Sequence, residues 1–195
     1  MTAGCLYNGS KKVDLRGDES VILGAEHIEQ PCSGEFAEKI YDIQSPWNSS
    51  DWTWIKFDDE NSVWCSEFRG KYRGVSLSEK LGIAVVLTSD YMYVLNIKTA
   101  ELVDFEAQPQ YMDMTVSPHG DIFVTDGYAL KVFTNSQIKD LQSIDTPIQP
   151  DDLRFLGWMG SILKMHCCEF LSWENEIDLS LDCETMKWCK QEDKK

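Results

Sequence analysis

From Trp52 onward, apolar residues recur at every second position in short runs broken by turn residues. Such alternation places one set of side chains on one face of a pleated strand. Trp52, Trp54 and residues 55–57 open a strand, Asp58-Asp59-Glu60-Asn61 is a turn, and residues 63–68 return before Arg69-Gly70. Val75, Leu77 and Leu81 follow at roughly the same spacing. Residues 83–88 break the alternation with a continuous apolar run, the pattern of a strand buried on both faces. Ser89-Asp90 turns the chain into a partner strand at 91–97, and Lys98-Thr99-Ala100 leads to a third at 101–105.

A third unit repeats this logic. Residues 111–116 precede Ser117-Pro118-His119-Gly120-Asp121, where proline presets φ and glycine opens the turn. Residues 122–125 return, Asp126-Gly127 marks a hairpin, and 128–133 follow. A fourth unit begins after Pro147 and Pro150, with strands at 153–158, 162–168, 173–181 and 186–188. Unit starts near 52, 81, 111 and 153 lie about 30–40 residues apart. No long amphipathic helix is visible. The fold class read from this is all-β: one domain of about four short antiparallel hairpin units, a small or partial β-propeller-like stack, with a two-sheet sandwich as the alternative. Residues 1–50 read as an irregular N-terminal region, in which Phe36 and Ile40 allow a helical turn or two before Ser45-Pro46. Residues 51–190 hold the repeated units and 191–195 a charged tail.

Two segments carry a resemblance. IAVVLTSDYMYVLNIKTAELVDF, residues 83–105, and MTVSPHGDIFVTDGYALKVF, residues 114–133, resemble propeller blades, the second through its Ser-Pro-x-Gly turn. Propellers serve many roles, so this speaks to architecture rather than function. The ensemble also resembles small immunity proteins of bacterial polymorphic toxin systems of the contact-dependent inhibition type. The length, the acidity, the aromatic 47–64 segment and the 173–188 hairpin carry that likeness. It implies a non-catalytic cytoplasmic protein that covers the active site or substrate surface of a basic toxin domain, a nuclease, in a 1:1 complex.

Charge sharpens this picture. The chain holds 33 acidic and 18 basic side chains, a net charge of −15, spread over every segment. A negative field of that kind repels nucleic acid and anionic membrane and speeds encounter with basic partners. Acidity also serves solubility alone, which is the competing reading. Hydrophobic residues make up 43% of the chain, ample for a core. No apolar run approaches the ~18 residues of a membrane-spanning helix, and residues 1–17 lack an apolar signal core. A cytosolic setting is therefore expected. It disfavours a disulfide framework for the seven cysteines, which read as small core residues.

Catalytic motifs are absent: there is no Gly-x-Ser-x-Gly, phosphate-binding glycine loop or His-Glu-x-x-His. The histidines are His27, His119 in a turn, and His166 in an apolar strand beside Cys167. No enzyme activity, cofactor or metal is expected. Trp47, Asp51, Trp52, Trp54, Asp58, Asp59 and Glu60 fall within fourteen residues. Tryptophan favours interface centres, and nearby acids would meet Arg or Lys. Strand alternation puts Trp52 and Trp54 on one face, which a buried stripe also explains. The expected partner-binding residues are Trp47, Asp51, Asp58, Asp59 and Glu60, with Trp173, Glu174 and Glu176 as a second cluster. A propeller-like scaffold subunit of a larger assembly is the alternative function.

Overall fold

A computed structural model describes residues 21–189. Their strands form four sheets of four. In the first sheet β1 (Ile22–Ile28), β2 (Ala37–Tyr41), β3 (Trp52–Asp59) and β4 (Val63–Arg69) stand in the order β1-β3-β4-β2. The second contains β5 (Tyr72–Ser78), β6 (Ile83–Thr88), β7 (Tyr91–Asn96) and β8 (Leu102–Ala107) in chain order. The third is β9 (Asp113–Val116), β10 (Ile122–Thr125), β11 (Leu130–Val132) and β12 (Gln142–Ile144), with a short 3-10 turn at Ile138–Asp140 before β12. The fourth is β13 (Pro150–Met159), β14 (Ile162–Glu169), β15 (Ser172–Asp182) and β16 (Lys187–Trp188). Neighbours pair antiparallel except β2, which lies parallel to β4. The fold is thus all-β and blade-like, and the two-sheet sandwich gives way to four sheets.

Three apolar layers join the sheets in succession. Ile55, Phe57 and Phe68 meet Ala84, Val86 and Tyr93 between the first and second. Val85, Leu87 and Val94 meet Ile122, Val124 and Phe133 between the second and third. Phe123 and Leu130 meet Leu163, Met165 and Leu179 between the third and fourth. The middle sheets are buried on both faces, which is why β6 is apolar at consecutive positions: Ala84 and Val86 face one layer, Val85 and Leu87 the other. No comparable layer joins the fourth sheet to the first among the described residues, so the stack is open. The far face of the fourth sheet is largely polar, with His166 Nδ1 2.9 Å from Asp178 and Lys164 donating to Ser180 at 2.9 Å, while Leu156 and Met159 of β13 are also exposed.

The first sheet is inverted relative to the others. β5, β9 and β13 run the same way: Gly74 lies against Met114, Ser78 bonds Gly120, and Asp113 and Thr115 accept from Phe155 and Trp158. β1 runs oppositely, since Ile22 donates to Ile97 beyond the end of β7 while His27 stacks on Tyr72 at the start of β5. The parallel pairing of β2 makes 29–36 a crossover between the two margins of the sheet. The near face is packed on the second sheet, so the crossover runs over the far one. Cys65 lies on that far face, alternating with core-facing Trp64, yet is fully buried.

Three expectations are corrected. The 1–50 stretch is not irregular throughout, because residues 22–41 supply two strands; its first twenty residues and the 191–195 tail lie outside the described residues. In place of the helical turn at Phe36 and Ile40 the chain bends at Phe36 and enters strand β2, where pairing with β4 turns Tyr41 into the core and Ile40 out of it. The second unit begins at Tyr72 rather than 81, since residues 75 and 77 pair with β6 across a local turn. Gly70 makes that break: its φ is +103°, its N–H donates to Asp51, and a Cβ there would lie 2.7 Å from both the Asp90 nitrogen and Thr88 Oγ1.

Candidate functional site

Strand direction gathers seven connections at one end of the stack: 42–51, 70–71, 89–90, 108–112, 126–129, 145–149 and 170–171. Hydrogen bonds tie them into a rim. The Ser49 N–H donates to the Asp90 carboxylate and the Gln108 N–H to the Asp90 carbonyl, both at 2.7 Å. Met112 donates to Thr125 at 2.8 Å, and Leu153 to Gly127 and Phe170 to Gln149 at 2.9 Å.

The 42–51 loop is pinned at several points. Arg69 grips the Asp42 carboxylate through Nη2 at 2.9 Å and Nε at 3.2 Å, and its guanidinium lies 3.6 Å from the Trp52 ring centroid. Asn48 donates to the Ile43 carbonyl at 2.7 Å and accepts from the Tyr91 hydroxyl at 2.5 Å. Asp90 is buried and takes the Ser89 hydroxyl on its other oxygen. Bidentate and charge-assisted bonds of this kind hold a loop in one geometry.

The rim carries exposed apolar side chains: Trp47 at 79%, Leu171 at 80%, Met112 at 61%, Tyr128 at 60% and Phe170 at 39% exposure. Segments 42–51, 108–112, 126–129, 145–149 and 169–174 hold no lysine or arginine. Apolar tips in segments that hold no cation, with Lys71 exposed on the neighbouring 70–71 connection, make this end the candidate site.

The structure distributes the expected binding residues over three places. Trp47 and Asp51 stand on the rim. Asp58, Asp59 and Glu60 lie at the opposite end of β3, seven residues and roughly 23 Å from Asp51. Asp59 shapes the turn there, accepting from the Asn61 and Ser62 N–H groups at 2.8 and 2.6 Å. Glu174 and Glu176 are exposed on β15 in the fourth sheet, and the Trp173 side chain lies outside the described part of the structure. The sequence cluster is therefore not a spatial one, because an extended strand separates its ends. Trp52 and Trp54 share a face as expected, but it is the far, half-buried face; Trp64 enters the core against Phe57. Met112, Tyr128, Phe170 and Leu171 carry no sequence signal as a group; only shared strand direction assembles them.

Among the described residues the histidines stand apart from one another. His119 meets Glu184 at 3.2 Å and His27 stacks on Tyr72, both away from His166. Cys167 points into the core, on the face opposite His166. Burial pushes the Cys65, Cys167 and Cys183 thiols up to about 11, so they are protonated and weakly nucleophilic near neutrality. A groove of about 430 Å³ opens beside β8, lined by Asp104, Glu106, Tyr111, Lys131 and Ile138 among others. Asp104 is spent there holding the walls together, accepting the Phe105 and Ile138 N–H groups at 2.9 and 2.8 Å. Among the described residues no three potential metal ligands cluster, and no helix is long and apolar enough to cross a membrane.

No family model matches the sequence, and no curated protein matches it. Solved structures to which the chain shows a weak likeness include two. The N-terminal domain of Nup159 shares 10% identity at a TM-score of 0.39, covering 63% of this chain and 34% of that one. A chain of the S. cerevisiae Dbp5 complex with Nup159, Gle1, IP6 and ADP shares 12% identity at a TM-score of 0.39, covering 80% of this chain and 44% of that one. This chain thus spans less than half the length of either. Its blade-like architecture rests on the strand pairing described above.

Proposed function

We propose that the chain is a non-catalytic immunity protein that binds a basic toxin domain, a nuclease, and neutralises it by covering its active site or substrate surface. One observation carries the reading: the rim presents apolar side chains on pinned turns in segments devoid of lysine and arginine. Apolar centres provide affinity through desolvation, while surrounding acids steer a cationic partner and oppose an anionic one. Toxin, target and immunity protein would meet in the cytoplasm, and the toxin's nucleic-acid surface would supply the complementary charge.

The test is to look for a basic polypeptide encoded immediately beside this chain and to co-express the two; absence of such a neighbour sinks the reading. Rescue of growth and a 1:1 complex on sizing chromatography are the expected results. Affinity should fall several-fold as salt rises from about 0.05 M to about 0.3 M, because exposed charges are screened. Failure to bind or protect sinks the reading. A second reading, a scaffold subunit of a larger assembly, is favoured by the stack of blade-like sheets. It predicts stable co-purification with several different proteins instead of one stoichiometric partner.

A further inference from the structure

We infer that a basic partner is gripped at two points, with Trp47 as the anchor at one end of the rim and Leu171 as the second contact at the other. The inference rests on the reading of a basic partner and adds where the grip lies. It starts from two side chains that each break a folding rule. Trp47 leaves most of its indole in water, whereas Trp52, Trp54, Trp64, Trp158 and Trp188 are all buried or half-buried. Its loop had neighbours to fold onto, yet the bonds of Ser45, Asn48 and Ser49 hold the backbone with this one ring outward. The Trp47 N–H donates to Ser45 Oγ at 3.2 Å, and Asn48 and Ser49 are tied to Tyr91 and Asp90. A large side chain on an already ordered loop loses little entropy on binding, which is the property of a hot-spot residue.

Leu171 breaks a different rule. It occupies the second position of the two-residue turn between β14 and β15 with φ +65°, a left-handed conformation ordinarily filled by glycine or asparagine. Leucine is strained there and is 80% exposed, so neither local conformation nor core packing accounts for it. Rules broken locally without compensation in the fold mark functional positions. Both side chains stand in rim segments that hold no lysine or arginine, on a chain of net charge −15, so the occupant is a protein surface with two apolar recesses bordered by Lys or Arg. An apolar surface without such a border, such as a second copy of this acidic chain, would bring like charges together.

The probe is the basic polypeptide that the proposed function requires to be encoded beside this chain, titrated with the wild type and single variants. Trp47→Ala should weaken binding about a hundredfold without changing the melting temperature, and Trp47→Phe about tenfold. Leu171→Asn should weaken binding about tenfold while raising the melting temperature, since asparagine tolerates the left-handed turn. A purely structural role cannot yield that opposition. Val63→Ala, at the exposed start of β4 at the opposite end of the stack, should leave binding unchanged. If the wild type binds and both rim variants bind equally well, the grip is wrong and the basic-partner reading stands. If the wild type does not bind, that reading fails and takes the grip with it. A wild-type dimer in sedimentation that Trp47→Ala dissociates would overturn the inference by assigning the rim to self-association.

Discussion

Gly70 shows how much one position can decide. It sits where the first sheet ends and the second begins, with positive φ and the backbone of Asp90 against its missing Cβ. Gly70→Ala should cost about 2–3 kcal/mol, read as a lowered urea midpoint, because neither the turn nor the contact can give. An unchanged midpoint would mean that the sheets separate there more easily than the contacts suggest. Cys65 and Cys167 make a second prediction at this scale. Both are fully buried, and burial raises their thiols from 9.0 to about 11. The folded chain therefore keeps protons that the unfolded chain releases in that window. Stability is complete below about pH 9 and falls as pH rises towards 11, by about 1.4 kcal/mol per pH unit for each thiol. Denaturation at about pH 8 and about pH 10 measures the slope, and a Cys65→Ala/Cys167→Ala variant should lose that part of it. Alkylation of the native protein should reach exposed Cys32 well before either buried thiol.

At the scale of elements, the strongest sequence signals were those set by burial on two faces. The run Ile83 to Leu87 reads as a doubly buried strand because its sheet lies between two others, and β6 has those bounds to within a residue. Strand β2 was illegible for the opposite reason. It is five residues long, it lies at an edge, and its fit depends on β4, which follows it in the chain. Local pattern cannot report a parallel partner beyond a crossover. Contacts between sheets are equally non-local, and Asp113 is the clearest: one oxygen accepts the Met114 N–H at 2.8 Å and the other the Phe155 N–H at 3.0 Å, joining β9 to β13. Asp113→Ala leaves the Phe155 N–H without its acceptor and should cost about 1–2 kcal/mol in thermal or urea unfolding. A cost within error would mean that water replaces the carboxylate.

For the whole molecule, charge and openness act together. The net charge of −15 is borne by a stack whose terminal sheet turns a largely polar face outward. Self-repulsion should make the fold sensitive to ionic strength, so raising salt from about 0.01 M to about 0.15 M should raise the melting temperature. A falling one would show that attractive pairs, such as Arg69–Asp42, outweigh the repulsion. The sequence by itself determined that the chain is acidic, that it is built of short strands, and where most hairpins turn. These follow from side-chain alternation and turn chemistry, which act within a few residues. Only the tertiary structure decided that the first sheet is inverted, that Trp47 is set outward while Trp64 is buried, and that the acids of residues 51–60 part to opposite ends of a strand. Those outcomes depend on which strands meet across dozens of residues, and side-chain pattern carries no record of the partner.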